Sequence, residues 1–88
     1  MIELEEYTKR ICIDLSRLME RTRLPNIVAA RQVYWFYLHE NGHTLQGIGR
    51  MFNMHHTTVY HGIRKTRDLI SVNDAYLKRF LEAIEYHE

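Results

Sequence analysis

Residues that interrupt regular structure are scarce in this 88-residue chain, which has one proline and four glycines. Between these positions, apolar residues recur three and four places apart, which is the spacing of one helix face. Leu4, Tyr7 and Ile11 form the first such stripe, over residues 3–12. The pattern predicts an all-α fold, and the length predicts a single domain over residues 1–88.

The first third of the chain is expected to contain a short helix followed by a basic loop. Asp14 can cap a helix whose apolar residues lie between positions 15 and 19, because aspartate accepts hydrogen bonds from a first helical turn. Residues 21–26 are predicted to form the loop, since Pro25 disfavours a helical conformation of the residue before it. Arg21 and Arg23 lie in this loop.

A strongly apolar helix is predicted from about Val28 to Glu40. It is apolar on most sides and should therefore be the central core helix. Asn41-Gly42 ends it, because glycine tolerates the left-handed conformation that follows a helix. The aromatic run at 33–37 is expected to belong to the core, although a platform for stacking bases is an alternative.

Two more helices with a tight turn between them are expected next, and a last helix capped by Asn73 or Asp74 follows them. The expected bounds are Leu45–Phe52 with Thr44 as cap, a turn at Asn53-Met54, and a helix from about His56 to Ile70. Helix, tight turn and helix in this order make a helix-turn-helix arrangement.

Charge is distributed unevenly, although the net charge is only +1. No acidic residue occurs between Asn41 and Arg67, and the acids collect towards the two ends of the chain. The basic residues and histidines of that stretch are His43, Arg50, His55, His56, His61, Arg64, Lys65 and Arg67. This distribution favours an anionic partner that binds locally.

The helix from His56 has two distinct faces at about 100° per residue. Val59, Ile63, Thr66 and Ile70 share one narrow arc, which should face the core. Thr57, Thr58, His61, Arg64 and Lys65 lie away from it, and His55 and His56 stand at its start. Hydroxyls, imidazoles and cations at a helix N-terminus suit the phosphates and base edges of DNA.

Other chemistries fit these residues less well. Histidines at 55, 56 and 61 lack the three- or four-residue spacing of helical zinc ligands, and no nucleophile–base pair or phosphate-binding glycine loop is present. We therefore expect no enzyme activity, metal or cofactor. The single cysteine, Cys12, excludes an internal disulfide and is expected to be buried. No apolar run is long enough for a membrane span and no signal peptide is evident, so a cytoplasmic location is expected.

Three segments resemble the C-terminal DNA-binding domain of the bacterial replication initiator DnaA. They are "ARQVYWFYL" (30–38), "TLQGIGRMF" (44–52) and "HTTVYHGIRK" (56–65). The core of the likeness is His56-Thr57-Thr58-Val59-x-His61, and the resemblance extends over about residues 4–85. It implies a small multi-helix domain with a helix-turn-helix, of the DnaA C-terminal or Trp-repressor-like type.

The resemblance also implies roles for particular residues. His56, Thr57, Thr58 and His61 match positions that contact bases or nearby phosphates of the DnaA box, a short duplex element of replication origins. Arg21 and Arg23 match a basic loop that reaches the adjacent minor groove, and Arg31 and Lys65 match backbone contacts. With His55, Arg50 and Arg64 added from the charge pattern, these are the candidate DNA-binding residues.

This chain departs from the family pattern at several positions. The turn is one residue shorter, His55 replaces an aspartate, and Pro25, Ala29 and Glu40 stand where the family has cations. We therefore expect incomplete recognition of the usual DnaA box. The chain also has no ATPase motif, which suggests a stand-alone protein in the bacterial cytoplasm or nucleoid, linked to origin binding or its regulation. An alternative is an interaction module that docks a replication protein instead of DNA; the oligomeric state is open.

Overall fold

Six α-helices lie within residues 1–87, the part of the chain that the computed structural model describes. They are α1 (Leu4–Ile11), α2 (Leu15–Leu18), α3 (Pro25–Glu40), α4 (Leu45–Phe52), α5 (His56–Ser71) and α6 (Lys78–Ala83), with a 3-10 helix at Ala75–Leu77 before α6. No strand occurs in that range, which confirms the predicted all-α fold. The predicted domain over 1–88 includes Glu88, which lies outside the described residues.

Local capping chemistry explains where several helices begin. The Thr44 hydroxyl oxygen accepts a hydrogen bond from the Gly47 N–H at 3.0 Å, and α4 has the predicted bounds. Asp74, and not Asn73, caps the segment before α6, where its carboxylate accepts from the Tyr76 N–H at 2.7 Å. Asn73 instead adopts a left-handed conformation with φ of 57°.

Three local predictions need correction. Asp14 occupies the N-cap position of α2, but its side chain makes no capping hydrogen bond. Helix α3 starts at Pro25, three residues before the predicted Val28, because proline is well tolerated at the first helical position. The basic loop is therefore shorter than predicted and ends at Leu24. Cys12 is exposed, since it holds the left-handed position that ends α1.

Helix α3 is the central helix, as predicted from its apolar character on most sides. Between residues 33 and 38 of this helix, five of the six side chains are buried: Val33, Tyr34, Trp35, Phe36 and Leu38. Trp35 meets the Phe52 ring of α4 edge-on, with ring centroids 5.9 Å apart. The three aromatic rings at 34–36 are thus core side chains, which removes them as a surface for stacking bases.

The packing of α3 against α5 depends on a glycine. A Cβ atom at Gly62 would lie 2.7 Å from Cε3 of Trp35 and 2.9 Å from Cγ of Gln32. Only a glycine lets α5 approach the indole this closely, and burial of such large aromatic surfaces is the main stabilising term for a small core. Trp35 therefore fixes the position of α5 relative to the core.

None of the helices between residues 1 and 87 combines the length and the apolar composition that a membrane span requires.

Candidate nucleic-acid interface

The turn between α4 and α5 is held by main-chain hydrogen bonds. Asn53 ends α4 in a left-handed conformation with φ of 53°, and the Met54 N–H donates to the Gly49 carbonyl at 2.8 Å. A Cβ atom at Gly49 would lie only 2.5 Å from the Met54 carbonyl oxygen. The turn therefore folds tightly onto α4, and the predicted helix-turn-helix is present.

His55 is the N-cap of α5. Its Nδ1 atom accepts a hydrogen bond from the Thr57 N–H at 3.1 Å. The imidazole also stacks on that of His56, with centroids 4.4 Å apart and planes inclined by 30°. Because Nδ1 acts as an acceptor, the hydrogen of the neutral ring resides on Nε2. The side chain at this position thus presents a donor.

The two faces of α5 are the predicted ones. Val59, Ile63 and Thr66 are buried, and the Thr66 hydroxyl is satisfied by donating to the Gly62 carbonyl at 3.0 Å. The side chains on the opposite face are exposed, and they are Thr57, Thr58, His61, Arg64 and Lys65. Contact of this face with DNA stays a prediction.

The basic loop lies beside the start of α5. Arg21 lines an open depression together with Arg50 of α4 and with His55 and His56. Arg23 lines a second groove, with Lys65 on its α5 side. The fold therefore brings residues from three separate segments of the sequence to the exposed side of α5.

Arg31 does not join this surface, although it was predicted to contact the DNA backbone. Its side chain is only 5% exposed. Its guanidinium donates from Nη1 to the carbonyls of Leu18 at 3.3 Å and Glu20 at 2.6 Å, and from Nη2 to that of Thr22 at 3.4 Å. Burial lowers the pKa of Arg31, as expected for a charge removed from water. The guanidinium of Arg31 therefore faces the main chain of residues 18–22, and its contact with the DNA backbone stays a prediction.

Three surface residues near the interface were missed by the sequence reasoning. Tyr60 is 44% exposed and meets the His61 ring edge-on at 5.5 Å. Gln46 and Asn53 line the same depression as Arg21 and Arg50. Helical phase alone could have found Tyr60, because it lies about 100° from Val59 at the middle of the buried arc. The other two depend on how the turn folds.

In the part of the chain that the structure describes, five cations near α5 have no acidic partner. Within residues 1–87, ion pairs with carboxylates are made by Arg10, Arg17 and Arg67. None involves Arg21, Arg23, Arg50, Arg64 or Lys65, and all five are exposed. Unpaired cations around an exposed helix N-terminus form a positive surface that attracts phosphates.

Metal ligation has no geometric support among the described residues. No group of three or more histidine, cysteine, aspartate or glutamate side chains there is placed to hold an ion. The histidine pair at the start of α5 is instead engaged in a cap and a ring stack.

Residues 5–66 match the family model described as the bacterial DnaA protein helix-turn-helix. The match covers 62 of the 88 residues and includes every candidate position from Arg21 to Lys65. No solved structure matches the chain.

Proposed function

This chain belongs to the family of the bacterial DnaA helix-turn-helix domain, a DNA-binding module, and we propose that it binds double-stranded DNA sequence-specifically through α5. The observation that carries the proposal is the surface around α5. Its exposed face holds only hydroxyls, imidazoles, a tyrosine and the two cations Arg64 and Lys65 over residues 55–65, and it is bordered by three further cations that, like these two, make no ion pair within residues 1–87. Such a surface combines phosphate attraction with groups that read base edges.

The proposed docking places the first half of α5 in the major groove. Thr57, Thr58 and His61 then face base edges or the phosphates beside them, and His55 and His56 stand where the helix enters. Short side chains at these positions let the helix sit deep in the groove. Helix α4 crosses the backbone, where Arg50 meets a phosphate.

The remaining cations extend the contact beyond the recognition helix. Arg64 and Lys65 lie on the same exposed face, one to two turns further along α5, and are assigned to the phosphate backbone. Arg21 and Arg23 of the loop are assigned to the phosphates that border the neighbouring minor groove. Together these contacts fix the register of α5 in the groove.

The proposed context is binding at a replication origin or its regulation, by one domain over residues 1–88. Location with DNA in a bacterial cytoplasm or nucleoid follows from this function. A replication protein as an additional partner and action as a stand-alone protein without an ATPase stay predictions, as does the lack of enzyme activity.

Selection from a random duplex library at moderate salt tests the proposal directly. We expect one enriched motif, related to the DnaA box but different at the position that His55 faces. Failure to enrich any motif, with the protein shown to be folded by circular dichroism, would contradict the proposal and favour an interaction module.

Exchanging His55 for aspartate is expected to change base preference at one position only. Aspartate caps helices as well as or better than other residues, so α5 should begin unchanged, but a donor becomes an acceptor. Guanine, whose N7 and O6 are acceptors, should be preferred by the wild type, and cytosine, whose amino group is a donor, by His55→Asp. Repeating the library selection with this variant under the same conditions measures the exchange.

Lys65→Ala is the matched control. It should weaken binding to all sequences alike and leave the enriched motif unchanged, because a phosphate contact carries no base information. An identical motif for His55→Asp and the wild type would show that His55 does not read a base.

A further inference from the structure

We propose that Arg31 is the positioning residue that sets the basic loop against DNA, and that it makes no DNA contact of its own. The inference rests on the proposed function and names a residue that determines how the interface is built. The guanidinium of Arg31 donates hydrogen bonds to three main-chain carbonyls, and the proposed role depends on these bonds.

The loop has few other hydrogen bonds to hold it. Residues 21–24 have no regular secondary structure, and within this stretch the Leu24 N–H bonds only locally, to the Thr22 hydroxyl at 3.2 Å. From α3, Arg31 bonds the carbonyl of Thr22 within the loop and those of Leu18 and Glu20 between the end of α2 and the loop. The three carbonyls bonded by Arg31 belong to every second residue from 18 to 22. Arg21 therefore lies between two anchored residues, and Arg23 directly follows the last one.

The side chain of Arg31 is almost entirely buried. Besides being 5% exposed, it lies 5.9 Å from the centroid of the Trp35 ring. Its Nε atom is buried without a hydrogen-bond partner among residues 1–87. A buried arginine is rare unless paired, and here backbone oxygens take the place of a carboxylate. The planar fork of arginine can bond several carbonyls at once, which one ammonium group does less well.

The consequence of this anchor is visible in the positions of the two loop cations. Arg21 lines the depression that His55 and His56 share, and Arg23 lines the groove with Lys65. One loop thus supplies a cation to the depression at the start of α5 and a second cation to the groove beside Lys65. Without the anchor, the main chain of the loop would also have to be ordered on binding, which costs conformational entropy.

A double-mutant cycle on the salt dependence of DNA binding tests the role. The variants are Arg31→Met, which keeps an unbranched stem but no donors, the pair Arg21→Ala with Arg23→Ala, and all three together. Loss of the two loop cations should reduce the slope of log affinity against log salt by about 1.8. We expect Arg31→Met to lose most of the same amount, and the triple variant to lose no more than the pair.

Additional loss in the triple variant, by about 0.9 in slope, would show that Arg31 meets a phosphate itself and would overturn the inference. An unchanged slope in Arg31→Met would also overturn it. If Arg31→Met does not fold, Arg31→Lys replaces it, because it keeps the charge but not the fork, and the same non-additivity is expected.

A measurement without DNA separates this inference from the proposed function. Amide hydrogen exchange at Leu18, Met19, Glu20 and Leu24, the hydrogen-bonded amides on either side of the anchored carbonyls, should be at least about tenfold faster in Arg31→Met than in the wild type, with α4 and α5 unchanged. Faster exchange in a protein that does not bind DNA would refute the proposed function but keep the anchor. Equal exchange at these four amides would refute the anchor whatever the DNA result.

Discussion

Raising the salt concentration from 50 to 200 mM is expected to weaken DNA binding by this domain about 500-fold. The reason is the number of free cations around α5. If Arg21, Arg23, Arg50, Arg64 and Lys65 each neutralise one phosphate, the slope of log affinity against log salt is about −4.5. A fourfold increase in salt then removes between two and three orders of magnitude of affinity. Fluorescence anisotropy with a labelled duplex of the selected motif, at four or more salt concentrations, measures the slope.

Two variants give this experiment its controls. Replacing Arg50 and Arg64 together by alanine should reduce the slope by about 1.8. Lys9→Ala should leave it unchanged, because Lys9 is an exposed cation of α1, which packs against α2 and α6 and is not assigned to DNA. A slope shallower than about −1 for the wild type would mean that phosphates contribute little, and would support docking to a protein.

The elements that sequence reasoning placed well are those with both a clear period and a strong local signal. Helix α4 has the predicted bounds, Leu45–Phe52, because the threonine cap at Thr44 and the apolar stripe that ends at Phe52 indicate the same helix. The division of α5 into a buried and an exposed face follows from helical geometry alone. The residues proposed to read bases could therefore be placed on one surface before the structure was known.

Arg31 shows where that reasoning ends. An arginine in a helix is almost always expected at the surface, and nothing in its neighbours along the chain signals burial. Its partners are main-chain carbonyls of another segment, and every residue has a carbonyl, so side-chain types cannot identify them. Burial of this kind is decided by tertiary packing.

His55 is a second instance with a different cause. Caps are expected at serine, threonine, aspartate and asparagine, and a histidine before a helix does not belong to that set. It caps α5 because its Nδ1 atom lies within hydrogen-bond distance of the Thr57 N–H, and because the imidazole ring stacks on that of His56. The side chain was correctly placed at the start of α5, but its function in capping the helix was missed.

Gly49→Ala is expected to lower the free energy of unfolding by about 2 kcal/mol and to weaken DNA binding about tenfold or more. Two effects oppose each other. Alanine favours a helix over glycine by about 1 kcal/mol, but overpacking costs about 1–3 kcal/mol. The added Cβ would lie 2.5 Å from the Met54 carbonyl oxygen. This neighbour is main chain and cannot rotate away, so the upper part of the overpacking range applies and the clash dominates.

The weaker DNA binding follows from what the clash displaces. Met54 is the residue before His55, and its N–H is bonded to the Gly49 carbonyl at 2.8 Å. The added Cβ would also lie 3.5 Å from the His56 nitrogen. Relief of the clash must therefore move the turn and the start of α5 away from α4. Every base pair that α5 no longer reads after this movement costs on the order of 1–3 kcal/mol of binding free energy.

Gly47→Ala provides the matched comparison on the same helix. A Cβ there would lie 3.0 Å from the Thr44 hydroxyl oxygen, a side-chain atom at the far end of α4 from the turn. Because that oxygen also caps α4, a weaker cap, which costs about 1 kcal/mol, opposes the gain of about 1 kcal/mol from the helix preference of alanine. This variant should therefore stay within about 1 kcal/mol of the wild type in stability, with unchanged DNA affinity. Urea unfolding followed by circular dichroism, together with anisotropy on the same duplex, measures both effects. Equal stability and equal affinity of the two alanine variants would show that the α4–α5 turn does not require glycine, and that the position of α5 is set by its packing on Trp35 alone.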